Sequence, residues 1–236
     1  MNGLIALVGS GEYLPVMMDV DRHLLESLNI NGRKPRVACL PTAAGQEGDA
    51  SVNRWLNMGT EHFQKLGADV AQVRIIDRAS ADDPQWEPIL ENADLIYFSG
   101  GSPGYLYEMM NGSRAWKAAQ RAWDRGSVYA GCSGGAMVLA DRIPRLRLPG
   151  TVKGFGVVPA KIVLPHFDAA HAFFRIMANT LRLQLKKGER MIGVDEDTAL
   201  VGKLGGGWQV MGKSKVHVFT RESSNEYASG QAVVLD

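Results

Sequence analysis

Along the first two thirds of the chain, short runs of consecutive apolar residues alternate with longer stretches whose apolar positions recur at helical spacing. The runs Leu4–Val8, Arg36–Leu40, Val70–Ile75, Leu95–Phe98 and Val128–Gly131 place apolar residues side by side instead of at every second position. That is the pattern of strands covered on both faces. Between them Val16–Leu28, Ser51–Leu66, Tyr105–Met110 and Ser113–Arg125 read as helices, with spacings such as that of Trp55, Phe63 and Leu66. Short buried strands joined by helices predict an α/β fold: a doubly wound, mostly parallel sheet with helices on both faces.

The texture changes after Ile143, where Pro144, Arg145, Arg147, Pro149 and Gly150 mark a surface excursion before Val157–Leu164 resumes a strand pattern. Ala170–Lys187 reads as a helix, and Met191–Val194 and Ala199–Val201 as short strands. The tail offers Trp208–Met211, Lys215–Phe219 and Ala232–Leu235, separated by Gly205-Gly206-Gly207 and Ser229-Gly230, a hairpin pattern. No repeat, low-complexity segment or linker divides the 236 residues. One domain spanning residues 1–236 is expected, with the hairpins as a C-terminal annex.

Composition narrows the classes. Hydrophobic residues make up 45% and charged residues 22%, the balance of a soluble globular chain. Lys plus Arg number 26 against 25 for Asp plus Glu, leaving no surplus of positive charge for a phosphate backbone, so no nucleic-acid partner is expected. The two cysteines, Cys39 and Cys132, both sit in apolar runs, which predicts neither a disulfide framework nor a zinc cluster, and a reducing compartment. The opening apolar run is short, lacks a basic leader and passes into Gly9-Ser10-Gly11. With no stretch approaching a membrane span, a cytoplasmic protein with no membrane partner is expected.

Chemistry concentrates at Gly131-Cys132-Ser133-Gly134-Gly135, a G-x-S-x-G sequence between a strand and a helix. A serine hydroxyl is a weak nucleophile until it is held clear of the sheet beside a base, and a sharp strand-to-helix elbow achieves the first of these. The turn is crowded enough to need the flanking glycines Gly131 and Gly135. The amide of Gly134, at the start of the helix, is then a candidate oxyanion donor. The competing reading is a glycine-rich turn that only packs tightly. Ser99-Gly100-Gly101-Ser102 ends the neighbouring strand Leu95–Phe98, so Gly101 either donates its N–H to the same oxyanion or merely caps that strand.

Of five histidines, His23, His62 and His171 fall in helical patterns and His217 in the tail. His166 follows the apolar run Ile162-Val163-Leu164 and Pro165, just past a strand end, where it serves either as a base for Ser133 or as a satisfied loop residue. Asp195, Glu196 and Asp197, after Met191–Val194, are three candidates for an acid that orients the imidazole, and Glu196 is the preferred one. The resulting order of serine, histidine, acid differs from the acid-before-histidine order of α/β-hydrolases. Gly9-Ser10-Gly11-Glu12-Tyr13-Leu14 lacks the third glycine of a dinucleotide fingerprint, and the pair reads as a tight turn, so no cofactor is expected and no metal.

Together these segments resemble the S51-like serine peptidases, the family of dipeptidase E and cyanophycinase. The stations are Leu7-Val8-Gly9-Ser10-Gly11-Glu12, Leu40-Pro41-Thr42-Ala43, Phe98-Ser99-Gly100-Gly101, Gly131-Cys132-Ser133-Gly134-Gly135-Ala136, Pro165-His166-Phe167 and Gly193-Val194-Asp195-Glu196-Asp197-Thr198-Ala199. The resemblance implies a sheet like that of class I glutamine amidotransferases, flavodoxin-like in outline. It implies Ser133 as nucleophile, His166 as base, Glu196 as third member, and Gly101 and Gly134 as oxyanion donors. Cys132, the residue type that amidotransferases use as nucleophile, would put Ala130 where a glycine belongs. The family elbow usually reads G-x-S-A-G-A, its glycine pair is commonly followed by Asn or Asp, and cyanophycinases tend to carry closely spaced arginines after His-Phe. This chain has Gly134, Ser102 and Asp168-Ala169-Ala170-His171-Ala172 at those places. The expected activity is that of a dipeptidase E-like exopeptidase acting on small aspartyl or isoaspartyl peptides through an acyl-enzyme. The alternatives are a cyanophycinase-like β-aspartyl hydrolase and a non-catalytic binding or regulatory relative. Arg142, Arg145, Arg147 and Arg175 are candidates for a substrate carboxylate, and a homodimer rests on the resemblance alone.

Overall fold

The computed structural model describes residues 2–145, 150–169 and 172–235, the side chains of 172–177 excepted. Successive residues of a strand face opposite sides, and all four residues of β1 (Ile5–Val8) are buried, so both sides of it are covered. The chain supplies the cover with α1 (Met18–Glu26), β2 (Arg36–Leu40), α2 (Asp49–Lys65), β3 (Asp69–Gln72), the short α3 (Arg78–Ala81) and α4 (Trp86–Glu91), β4 (Leu95–Phe98), α5 (Pro103–Met110), α6 (Arg114–Asp124) and β5 (Val128–Cys132). Strands β1, β5, β4, β2 and β3 lie side by side in that order, all parallel.

On one face Ala6, Val8, Val37, Cys39, Leu95, Tyr97 and Ala130 pack with Val20 and Leu24 of α1 and Phe63 of α2. On the other, Ile5, Leu7, Ala38, Leu40, Ile96 and Phe98 pack with Leu106 of α5 and Trp116 and Ala119 of α6. Each large side chain so withdrawn from water contributes about 1.5–3 kcal/mol. That is why these strands tolerate no polar alternation.

The remaining elements are α7 (Gly134–Met137), β6 (Arg142–Pro144), β7 (Thr151–Lys153), β8 (Ile162–Leu164), α8 (Ala172–Leu183), β9 (Met191–Val194), β10 (Thr198–Gly202), β11 (Trp208–Gly212), β12 (Lys215–Phe219), β13 (Ser224–Ala228) and β14 (Ala232–Val233). The tail forms hairpins, but they are built into the body of the fold. Strand β10 pairs antiparallel with β1, β11 with β10 and β14 with β11, which extends the main sheet to eight strands. A second sheet of four holds β8 parallel to β9, followed by antiparallel β12 and β13. Its inner residues Val163, Ile192, Val194, Val216 and Val218 join the core of the main sheet. Its outer residues Ile162, Leu164, Met191 and Phe219 pack on Ala178 and Leu181 of α8 and on Leu185.

Local expectations and structure differ in places, and β13 is not among the expected strands; the run read as strand Val70–Ile75 forms a strand only as Asp69–Gln72. Only Ile162–Leu164 of the run from Val157 is strand, because Pro159 interrupts the run and has no N–H for a ladder. The surface excursion contains a β6–β7 hairpin, with residues 146–149 outside the described residues. The edge strand β13 is polar and mostly exposed. Among the described residues no helix is long and apolar enough to cross a membrane.

Candidate active site

Strand β5 ends at Cys132 and α7 begins at Gly134, so the direction of the chain changes at Ser133, with φ 50° and ψ −110°. A side chain at positive φ is strained by its own Cβ. Ser133 is held there by its N–H, which donates to the Val8 carbonyl at 2.9 Å, and by its carbonyl, which accepts from the Ala136 and Met137 amides at 3.0 Å. Glycines give the turn room: a Cβ at Gly131 would lie 2.2 Å from the Gly135 oxygen, and one at Gly135 would lie 2.5 Å from the Phe98 oxygen. At Gly134 a Cβ would come within 2.5 Å of the Gly101 oxygen. The glycine that stands in place of the family's alanine therefore lets the Gly100-Gly101 loop close against the elbow.

Strands β8 and β9 are parallel neighbours, so the loops leaving their carboxyl ends meet, and the Phe167 amide donates to the Val194 carbonyl at 3.1 Å. This brings His166, at φ 51°, between Ser133 and the acidic turn. His166 Nε2 lies 3.1 Å from Ser133 Oγ, and Nδ1 lies 2.8 Å from Glu196 Oε1. A carboxylate only accepts, so the contact with Glu196 puts the ring proton on Nδ1 and leaves Nε2 free to accept from the serine hydroxyl. Both the imidazole and the Glu196 carboxyl are 44% exposed. An ion pair so open to water adds little stability; what it fixes is the tautomer and the ring's direction.

The other two acids of the turn are engaged elsewhere. Asp195 is buried, with Oδ2 accepting from Ser214 Oγ at 2.7 Å and the Lys215 amide at 3.1 Å, and Oδ1 lying 3.0 Å from His217 Nε2. Burial alone would raise its pKa, but the hydrogen bonds from His217 and Ser214 outweigh burial and hold it below the ordinary aspartate value. Asp197 faces Lys213 Nζ at 3.6 Å, and its amide donates to Ser10 Oγ at 3.3 Å. Sequence reasoning overlooked Asp168, whose Oδ1 accepts the Glu196 amide at 2.8 Å and so pins the acid from the histidine loop. It also gave His217 no part, although its ring lies 4.6 Å from that of Phe167, the residue after His166. Both contacts join segments far apart in sequence: Asp168 lies 28 residues before Glu196, and His217 lies in the tail, 50 residues after Phe167.

At the glycine pair, Gly100 donates its N–H to Glu12 Oε1 at 2.9 Å. The Ser102 amide donates to the Ala43 carbonyl at 2.8 Å, and its hydroxyl caps α5 by accepting from the Tyr105 amide. Between these two anchors the N–H of Gly101, like that of Gly134, has no acceptor among the described residues. A Cβ on Gly100 would stand 3.3 Å from the Cβ of Ser133, which puts the pair beside the elbow. Cys132 is fully buried and donates its thiol hydrogen to Glu12 Oε2 at 2.8 Å. Burial, and then the charge of Glu12, push that thiol well above its ordinary value, so it stays protonated and is a poor nucleophile. Of the candidate arginines, Arg147 and the side chain of Arg175 lie outside the described residues, as does His171. Arg142 runs beside Asp141 at 3.8 Å and Arg145 is exposed.

A serine at a strand-to-helix elbow, in reach of a histidine that a carboxylate orients, defines the class of serine-type hydrolases. The family follows from comparison with known proteins. The chain belongs to peptidase family S51, whose model matches residues 5–205. It is 35% identical to a peptidase of known structure from an acI-B1 actinobacterium, with a TM-score of 0.88 over 99% of this chain and 97% of the other. A structure from Listeria monocytogenes described as a candidate peptidase E shares the fold, with a TM-score of 0.60 at 16% identity over 97% and 99% of the two chains. The cyanophycinase of Synechococcus elongatus is 24% identical over 167 residues, 66% of this chain, which spans about half (51%) of that longer protein.

Proposed function

We propose that the chain hydrolyses peptide bonds by serine catalysis, with small aspartyl or isoaspartyl peptides as substrates. The observation that carries this reading is the 3.1 Å contact between Ser133 Oγ and His166 Nε2, with Glu196 at 2.8 Å on the far side of the ring. In the first half-reaction Ser133 Oγ attacks the substrate carbonyl while its proton passes to His166 Nε2. Glu196 stabilises the imidazolium, and the amides of Gly101 and Gly134 receive the negative oxygen. Collapse of the tetrahedral adduct expels the amine, which takes the proton from His166 and leaves an acyl-serine. Water then attacks the ester with His166 as base, and Ser133 recovers its proton as the acid product departs.

Family membership supports the serine-peptidase class. The aspartyl linkage is supported by family membership and by the relatives named cyanophycinase. Two of the three departures from the family pattern leave the geometry in place: Gly134 lets the elbow close against Gly101, and Ser102 caps α5. A fluorophosphonate probe should label the chain and spare Ser133→Ala; equal labelling of both defeats the reading. A dipeptide panel with aspartyl, isoaspartyl and neutral first residues should show turnover confined to the first two. Cleavage of the neutral peptides at a similar rate counts against the substrate class.

A further inference from the structure

The turn after β1 was read from the sequence as a tight glycine corner, yet its Glu12 reaches into the centre of the fold. Glu12 is 8% exposed, and neither carboxylate oxygen faces a cation among the described residues. One oxygen accepts the Gly100 amide at 2.9 Å and the other accepts the Cys132 thiol at 2.8 Å. A buried carboxylate without a counter-charge is costly unless hydrogen bonds satisfy it. Two neutral donors are modest compensation, and both belong to the segments that flank Ser133. The same turn reaches the acid segment, since Ser10 Oγ accepts the Asp197 amide at 3.3 Å.

We infer that Glu12 is a positioning residue for the acyl-transfer site, clamping the Gly100-Gly101 loop to the elbow through Gly100 N–H and Cys132 Sγ–H so that the Gly101 amide is held for the oxyanion. The loop is fixed on its other side by the Ser102 amide on the Ala43 carbonyl, at 2.8 Å. With both neighbours tied, Gly101 at φ 139° keeps its N–H unused, in a backbone region that favours glycine. Without Glu12 the Gly100 amide loses its acceptor and the loop its link to the nucleophile's strand. A donor displaced by an ångström no longer matches the developing charge, which in comparable sites costs about 10²–10³ in rate per donor. Glu12 touches no reacting atom; its effect passes through Gly100 and Cys132.

This role rests on the proposed function, and the test separates the two. The saturable inactivation of the full chain by a fluorophosphonate gives a reversible binding constant and a bond-forming rate constant, measured for the parent, Glu12→Gln, Glu12→Ala and Cys132→Ser. The parent should be labelled. Glu12→Ala should lose at least about 100-fold in the bond-forming constant, with the binding constant changed less than threefold. Glu12→Gln keeps a carbonyl oxygen for Gly100, and Cys132→Ser keeps a hydrogen for Glu12, so both should stay within about tenfold of the parent. Parental rates in Glu12→Ala overturn the positioning role and leave the serine mechanism standing; a parent that is not labelled overturns both. Should Glu12→Ala fail to melt cooperatively, Glu12→Gln decides. A folded Glu12→Gln within tenfold supports the clamp, and one as slow as Ser133→Ala overturns it in favour of a role for the charge.

Discussion

At position 133 a side chain occupies a backbone region better suited to glycine, and the surrounding glycines make that possible. Replacing Gly131 or Gly135 by alanine would drive a Cβ into a backbone oxygen at 2.2 Å or 2.5 Å, where the obstacle cannot swing aside. The same economy of space explains Gly134, whose missing methyl admits the Gly101 carbonyl. Around His166 the arrangement is set by acceptors. Glu196 accepts a hydrogen bond from Nδ1–H, Asp168 accepts one from the Glu196 amide, and the Thr198 hydroxyl donates to the Glu196 carbonyl at 2.9 Å. Removing the charge at 196 while keeping the shape isolates its contribution to the imidazolium. Glu196→Gln should lower kcat by about 10⁴-fold with KM within a few-fold, measured on whichever aspartyl peptide is turned over. An unchanged kcat would mean that the carboxylate plays no part in the proton transfer.

Between residue and molecule, individual strands decide where the loops land. Strand β9 has a glycine at 193 because the Phe167 ring lies across it, and an added Cβ would stand 2.7 Å from that ring. Gly193→Ala should therefore displace Phe167 and the adjacent His166, lowering kcat at least tenfold and stability by about 1–3 kcal/mol. Gly207→Ala, where a Cβ meets nothing within 4 Å, serves as the control in the same assays and melts. The parts of the fold that the sequence disclosed were those with a strong local signature. The apolar runs at Arg36–Leu40, Leu95–Phe98 and Met191–Val194 are strands with those limits, because burial on both faces writes itself into consecutive residues, while Lys215–Phe219 showed through its alternation of polar and apolar residues. Strand β13 was invisible, since an exposed edge carries no such signature, and α3 and α4 are too short to display a period. The elbow was legible from five residues. The contacts of Glu12 were not, because its partners lie 88 and 120 positions along the chain. Likewise Ser214 and His217 meet Asp195 only because β12 pairs with β9.

For the whole molecule, the decisive relation is that of the two sheets. Ser133 leaves the eight-stranded sheet and His166 the four-stranded one, while the turn Asp195–Asp197 carries the chain from β9 in the second sheet to β10 in the first. Asp195 fastens that crossing, and its lowered pKa means that the unfolded chain binds its proton more readily than the folded one. Its stabilisation is therefore complete above the ordinary aspartate pKa of about 3.9 and is lost as pH falls through the lower folded value. The melting temperature should fall on acidification from pH 5 to pH 3. Asp195→Asn should melt lower at pH 7, with a shallower acid slope over that window; a slope equal to the parent's would show that Asp195 is not the group responsible. The fastening comes from Ser214, Lys215 and His217, beyond residue 205 where the family match ends. On the ribosome, the serine, the histidine and the glutamate all emerge before the strand that locks their geometry. A nascent chain that ends at β11 carries all three side chains of the proposed triad but lacks the Ser214, Lys215 and His217 contacts that hold the crossing between the two sheets.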